Sequence, residues 1–382
     1  MTETLVVREA RTRGDFRRFL DVPDLVYRND PCWVPPLRSE VRKLLNRAKN
    51  PFFDHGEAFF WIAERAGVTV GRISAQINRL HLARYGDATG HFGFLEAIDD
   101  PEVFKALLGT AEEWLRARGM TRILGPYSLS INDEVCVLVA GFDTPPMVAM
   151  AHSPPYYGPR LEAEGYRKAK DLHAYVLDPR AVTGVERLER TTARIRAKGR
   201  VRTRQIDMKR FQEEMRLGIE IFNDAWADNW GFVPVTDREV SELIKSIAPV
   251  IRPEGVIFAL VGDRPEGILV GLPNLNEAIA DLGGRLLPFG WLKLLWRLRV
   301  RRLRSARVIL MGVRKAHRNS TRSGALAAVL LGEALRVARS LGIERGELSW
   351  ILEDNVWALT VAPCAGATLG KVYRVYEKVL AS

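Results

Sequence analysis

The stretch "GVRKAHRNSTRSGALAAVLLGEAL", Gly312–Leu335, changes character at Gly324. Before it, Arg314, Lys315, His317, Arg318 and Arg322 are interleaved with Asn319, Ser320, Thr321 and Ser323. From Ala325 onward the chain is rich in Ala and Leu at helical spacing. The first N–H groups of a helix have no partner within it, and the helix dipole places about half a positive charge there. Small hydroxyls and Gly324 let a ligand come close to those groups, while Arg and Lys add charge. The pattern reads as a cradle for phosphate or pyrophosphate. The alternative is a solvated basic turn that only caps the helix.

The rest of the chain weighs on that choice. Its 382 residues suggest two or three domains, and 47% hydrophobic residues are enough to bury sizeable cores. Cys32, Cys136 and Cys364 are few, odd in number and far apart, which argues against a disulfide framework or a zinc site and fits a reducing compartment. The opening "MTETLVVREA" lacks the pattern of a signal peptide, and no run of 18 apolar residues marks a membrane span. Residues 1–180 hold 24 Lys/Arg and 24 Asp/Glu, whereas residues 181–382 hold 33 and 22. The whole net charge of +11 therefore lies in the second half, where an anionic partner is expected.

The chain also repeats itself. "WVPPLRSEV" (Trp33–Val41) aligns with "FVPVTDREV" (Phe232–Val240) at an offset of 199. "GRISAQIN" (Gly71–Asn78) aligns with "GILVGLPN" (Gly267–Asn274) at 196, and "LLGTAEEWLRARG" (Leu107–Gly119) with "LLGEALRVARSLG" (Leu330–Gly342) at 223. Three anchors in one order indicate a fold used twice. Each copy reads as a strand, two helical stretches, a two-stranded hairpin, a strand, a long amphipathic helix, a strand, a helix and a last strand. That is an α+β unit with a mixed, mostly antiparallel sheet flanked by helices. The expected domains are 1–180 and 205–382, with a basic linker or helix over 181–204.

The copies differ between the hairpin and the long helix, where the second has 27 more residues. Part of the excess is the cradle. At the matching place the first copy has Glu96, Asp99, Asp100 and Glu102, and carboxylates repel phosphate. The anion site is therefore expected in the second copy alone, and the first reads as degenerate.

With "RVILMGV" before the cradle and a long helix after it, the second copy resembles the GCN5-related N-acyltransferase superfamily. The pattern Q/R-x-x-G-x-G/A is only partly matched: Asn319 and Arg322 stand at its first position and at its middle glycine, and Arg318 lies one residue upstream. The whole chain resembles a bacterial tandem group that includes the bacterial ceramide synthases. The likeness is carried by "SLSINDEVCVLVAGFDTPPMVAMAHSPPYYGPRLEAEGYRKAKDLHAY" and "RGELSWILEDN". The resemblance implies two tandem GNAT-like domains, acyl-CoA as co-substrate, no metal, and acyl transfer to the amine of a sphingoid-type lipid. Two other readings stay open: an acetyltransferase for a soluble amine or aminoacyl group, and a non-catalytic acyl-CoA-binding module.

By this resemblance Arg314, Arg318, Asn319, Ser320, Thr321, Arg322, Ser323, Gly324 and Ala325 would hold the pyrophosphate. The backbone of Met311, Gly312 and Val313 would polarise the acyl carbonyl. Glu353 and Asp354 are candidate bases, Asn355 would orient substrate or pantetheine, and Tyr373 is a candidate acid. In "SINDE", Asp133 and Glu134 could supply the base instead, or form an Asx-type turn. Cys364 lacks an evident histidine partner, so direct attack is expected rather than an acyl-enzyme.

The remaining excess, Arg285–Arg307, holds Lys293 and seven arginines but no acid. Lys293, Arg297, Arg301 and Arg304 share one helical face, and Phe289, Trp291, Leu292, Leu294, Leu295, Trp296 and Leu298 crowd the rest, as in an interfacial helix; the alternatives are a buried helix whose arginines reach the surface, or a basic strip that binds RNA. An anionic membrane surface is the expected partner and nucleic acid is not. The expected location is cytoplasmic, peripheral on the inner membrane.

Overall fold

A computed structural model describes residues 4–197, 199, 201–299, 303–317 and 320–380. The chain forms two compact units. The first comprises Met1–Asp171, Ile279–Pro288 and Lys371–Ser382; the second comprises Leu172–Ala278 and Phe289–Gly370.

In chain order the first unit runs β1 (Leu5–Glu9), α1 (Arg13–Val26), α2 (Arg38–Leu44), α3 (Phe52–His55), β2 (Gly56–Arg65), β3 (Val68–Asn78), α4 (Arg79–Tyr85) and β4 (Thr89–Ala97). It continues with α5 (Pro101–Arg116), β5 (Arg122–Gly125), β6 (Val137–Ala140) and α6 (Tyr157–Ala163). Thr12 starts α1 with a capping box: its hydroxyl accepts from Asp15 N–H at 3.1 Å, and Asp15 accepts from Thr12 N–H at 2.9 Å. Ala66 and Gly67, at φ 51° and 76°, close the β2–β3 hairpin with the twist its strands need. Val103, Phe104, Leu107, Leu108, Ala111 and Leu115 form the buried face of α5 and pack with the apolar side chains of β2–β4.

β7 (Arg167–Leu177) is followed by α7 (Val182–Ala197), β8 (Val201–Gln205), α8 (Phe211–Trp226), α9 (Asp237–Ile247), β9 (Val256–Val261) and β10 (Arg264–Pro273). Then come α10 (Asn276–Ile279), α11 (Gly290–Arg299), β11 (Ser305–Val313), α12 (Thr321–Ser340), β12 (Arg345–Leu352), α13 (Val356–Cys364) and β13 (Thr368–Val379). The element order expected from the repeat is thus present twice, in mostly antiparallel sheets with one parallel pair each, β4–β5 and β11–β12.

The division departs from boundaries at 180 and 205, because the last strand of each copy serves the other unit. β13 pairs with β5 from Tyr376↔Gly125 to Val379↔Arg122 and with β6, while β7 pairs with β12 through Gly346↔Leu177 and Leu352↔Leu172. Burial explains the assignment. Tyr376 and Leu380 enter the first core, whereas Leu177 packs with Leu331, Leu335 and Ile351 in the second. Lys371, 1% exposed, donates to the carbonyls of Gly141 and Thr144, and Arg374 makes a two-pronged bond to Asp171 at 2.7 and 3.0 Å. α7, expected as a bridge, packs on α12 within the second unit.

Candidate functional site

In the second unit β11 and β12 are paired only from Ser305↔Arg345 to Val308↔Leu348. Beyond that point the strands part. β11 stays paired with β10 as far as Val313, so on its other side the backbone from Ile309 onward has no strand partner among the described residues. The gap holds a recess of about 100 Å³ lined by Val308–Met311, Leu348–Leu352, Trp226, Asn229, Asn355 and Trp357. Trp226 of α8 donates its indole N–H to the Met311 carbonyl at 3.4 Å. A β-carbon at Gly312 would lie 2.9 Å from Ala225 Cβ, so the glycine lets α8 approach β11 closely.

The expected cradle follows β11, but its charge is not free. Arg314 pairs with Glu220 at 2.9 Å and approaches Glu266 at 4.0 Å. Lys315 Nζ pairs with Asp228 at 2.7 Å, and its N–H donates to Asp224 at 2.7 Å. His317 lies 3.1 Å from Glu266. These acids come from α8, the turn after it and β10, far upstream in sequence. Arg318 and Asn319 lie outside the described residues, as does the side chain of Thr321. Ser320 occupies the N-cap of α12, but its hydroxyl donates to the His317 carbonyl instead of capping. The first turn of α12 has no acid, Arg322 and Gly324 are exposed, Ser323 and Ala325 are half-buried, and a β-carbon at Gly324 would meet nothing within 4 Å. Among the described residues, the N-cap side chain of α12 makes no capping bond, and Arg314, Lys315 and His317 lie against carboxylates.

The candidate chemistry residues do not all converge. Asn355 lines the recess, yet its side-chain oxygen is committed as the N-cap of α13, accepting from Ala358 N–H at 3.1 Å. Glu353 is half-buried and Asp354 exposed in the turn before it, and neither is among the side chains lining the recess. Tyr373 is fully buried on the part of β13 that belongs to the first unit, so it is not one of the second unit's site residues.

The inserted segment also differs from its reading. Arg297, expected on an outward cationic face, is buried and donates to the Ala278 carbonyl at 2.8 Å. Lys293 and Arg304 are exposed, as are Phe289, Trp291, Leu292, Leu295 and Trp296, while Leu294 and Leu298 are half-buried and Arg301 lies outside the described residues.

The first unit keeps the same parting of strands. β4 and β5 are paired from Thr89↔Arg122 to His91↔Leu124, the Tyr127 N–H still donates to the Phe92 carbonyl at 2.7 Å, and past that contact the space beside Phe94–Glu96 opens. A cavity of about 110 Å³ lies there, walled by Arg72 of β3, Glu96 of β4, Tyr27, Tyr157, Glu134 and His152 among others. "SINDE" splits in two: Asp133 makes the turn, accepting from Ser130 N–H at 3.2 Å, while Glu134 faces the cavity. Glu134 keeps solvent access but has protein on its other sides, and burial, then the charge of Glu96, pushes its carboxyl up to about 7. Burial likewise raises Glu96, opposed by Arg72 and by the Tyr157 hydroxyl, which donates to it at 2.6 Å.

Sequence reasoning passed over most of these groups. Glu96 is read there only as one member of a phosphate-repelling cluster. A usable signal was present in β3. Arg72, Ser74, Gln76 and Asn78 recur at every second position between Ile73, Ala75 and Ile77, and all seven are buried. A polar row inside a strand buried on both faces needs polar partners.

No family model matches the chain. It is 48% identical over 379 residues to the bacterial ceramide synthase of Caulobacter vibrioides (strain NA1000 / CB15N), covering 98% of each chain. It is 46% identical over 375 residues to the protein YghO of Escherichia coli (strain K12), covering 98% of this chain and 95% of the other. Among solved structures, a tandem GNAT protein from the clavulanic acid biosynthesis pathway matches 99% of both chains with a TM-score of 0.57 at 13% identity, which shows the same fold.

Proposed function

The chain belongs to the bacterial ceramide synthase family, and from that premise we propose that it is an acyl-CoA-dependent N-acyltransferase that moves a long-chain acyl group onto the amine of a sphingoid-type lipid. In that reaction the amine nitrogen bonds to the thioester carbonyl carbon, the carbon–sulfur bond breaks, and the thiol leaves with the proton the amine loses. The observation that carries the reading is the parting of β11 from β12 beside the open N-terminus of α12.

On this reading the first N–H groups of α12, with Arg322, Ser323, Gly324 and Ala325, hold the pyrophosphate. Ser320, Thr321, Arg318 and Asn319 add to the binding of that group. Arg314 and Lys315 act through their acid partners, which fix the loop in place. The thioester lies in the recess, where its carbonyl oxygen accepts from the backbone N–H of Met311. The Trp226 bond to the Met311 carbonyl supports this, because in extended backbone the N–H and C=O of one residue point to the same side. Glu353, outside the recess, takes the amine proton through a water and returns it to the leaving thiolate, and Asp354 adds negative charge beside it. Asn355 orients the substrate through its amide nitrogen, its oxygen being engaged by the helix.

The exposed aromatic and aliphatic side chains of α11 support a lipid acceptor, since they give the protein a surface for the bilayer interface where such an amine resides. No helix among the described residues is long and apolar enough to cross a membrane. The test is a reaction of purified protein with palmitoyl-CoA and sphinganine, followed by mass spectrometry. An N-acylated product and released thiol in equal amounts support the reading. Turnover of acetyl-CoA with soluble amines alone would replace it.

A further inference from the structure

The cavity in the first unit has walls that an idle remnant would not need. The acidic start of α5 gives a phosphate no place: Asp100 caps the helix, accepting from Glu102 N–H at 2.8 Å, and Arg65 binds both Asp100 and Glu102 at 2.6 Å. Yet the space where β4 and β5 part is not filled by apolar side chains. It is lined by charged groups, which are costly to bury unless they are paired.

Two of those groups are left with open valences. Arg72, 7% exposed, donates to the Phe19 carbonyl at 3.0 Å, lies 3.8 Å from Glu96 and stacks on the Phe19 ring at 4.9 Å, but its Nε–H has no acceptor. His152 holds Asp30 through Nε2 at 2.8 Å, and its Nδ1 has no partner. With the Nε2 proton directed at the carboxylate, Nδ1 is a lone-pair acceptor. The hydroxyls of Tyr27 and Tyr157 are already spent, on the His152 carbonyl at 2.9 Å and on Glu96 at 2.6 Å. Arg72 balances Glu96, and Glu134, exposed at the edge of the cavity, adds one negative charge when it is ionised, as it is at pH 8.

The cavity therefore asks for a cation that also carries a hydrogen-bond acceptor. Its volume of about 110 Å³ has room for a small polar head group and not for a long chain. We propose that the first unit binds a 1,2-amino alcohol, with the ammonium on the carboxylates of Glu134 and Glu96 and the hydroxyl oxygen accepting from Arg72 Nε–H. His152 Nδ1 accepts one of the remaining ligand protons. Simple alkylamines lack the group that Arg72 needs, and carboxylic acids meet the excess negative charge. The ligand class is that of the acceptor head proposed above and to that extent rests on that reading, whereas the place of the site, in the first unit, does not.

The shared chemistry has two sources, the head of a lipid amine or a free soluble amino alcohol. Titration calorimetry on the full chain at pH 8 would use 2-amino-1-hexanol, hexylamine and hexanoate as probes. The amino alcohol is expected to bind, hexylamine to bind at least tenfold more weakly, and hexanoate not to bind. Glu134→Gln should weaken the amino alcohol at least tenfold. Val41→Phe, which fills the cavity from its wall without touching a charge, should abolish binding. Both variants should leave coenzyme A affinity unchanged, which controls for folding and keeps the result separate from acyl transfer. Displacement of the probe by sphinganine in mixed micelles assigns the site to a lipid head; displacement by 2-aminoethanol alone assigns it to a soluble ligand. Hexanoate binding as tightly as the amino alcohol, no binding of the amino alcohol, or unaltered affinity in both variants would overturn the proposal.

Discussion

Glu134 is a single side chain with a measurable signature. Its carboxyl is raised to about 7 in the folded protein from an ordinary value of 4.5, so between those pH values the folded chain holds a proton that the unfolded chain has given up. Stability contributed by this group is therefore greatest at low pH and falls as pH rises toward about 7. Glu134→Gln removes that slope. The difference in unfolding temperature between variant and wild type should move in favour of the variant from pH 5 to pH 8, then level off. Parallel curves across that range would mean that Glu134 is not desolvated. A second residue tests the close approach that lets the cavity exist. A β-carbon at Gly93 would stand 1.6 Å from the Tyr127 carbonyl oxygen, which no small adjustment relieves. Gly93→Ala should cost at least about 2 kcal/mol of stability, at the upper range for overpacking, read from urea unfolding.

At the scale of elements, α12 and α11 carry the two most exposed readings. Arg322→Glu with Gly324→Asp places two negative charges on the uncapped first turn of α12, where the dipole favours an anion. Coenzyme A affinity should fall by about tenfold or more, and titration calorimetry on the folded double variant checks it. For α11, replacing Trp291, Leu295 and Trp296 by Ser removes the exposed apolar face. Co-sedimentation with anionic vesicles should be lost while coenzyme A binding is kept; vesicle binding unchanged by the triple substitution would move the contact elsewhere. These two helices also show what the sequence made legible. Spacing and composition located both, together with the strand before α12. They did not reveal which charges were free. Arg314, Lys315 and His317 look like a cationic cluster until Glu220, Asp224, Asp228 and Glu266 are folded against them, roughly 50 to 100 residues away in the chain. Arg297 reads as a surface residue by type, yet it is needed inside to satisfy the Ala278 carbonyl. The recess was legible as a strand pair followed by a helix. The polar cavity of the first unit was not, because Tyr27, Arg72, Glu96, Glu134 and His152 come from five separate segments.

At the scale of the molecule, three short matches were enough to read a duplicated fold, because each copy buries its elements with the same periodicities. The exchange of last strands was invisible to that reasoning. "KDLHAYVLD" and "KVYRVYEKVL" are equally good strands for either sheet, and only the choice of core separates them. The exchange predicts how fragments behave. Residues 1–204 lack β13, which leaves β5 paired with β4 alone and takes from β6 the strand it pairs with, and residues 205–382 lack β7, which leaves β12 paired with β11 alone. Each fragment expressed alone should aggregate or unfold without a cooperative transition. Co-expressed, the two should copurify in equal amounts with coenzyme A affinity restored. A fragment of 205–382 that is soluble and binds coenzyme A by itself would show that β7 is dispensable.

The pairing of Gly125 with Tyr376 also sets a schedule for the chain as it leaves the ribosome. Some 250 residues separate the two strands, so at about 5 to 20 residues per second the first sheet waits roughly 10 to 50 s for its last member. Throughout that interval β5 offers an unpaired edge, the kind of surface to which other nascent chains add strands. Synthesis rate and holdase supply, rather than final stability, should therefore set the yield of this protein in a cell, and slowing translation should harm it where it helps proteins whose domains close in order.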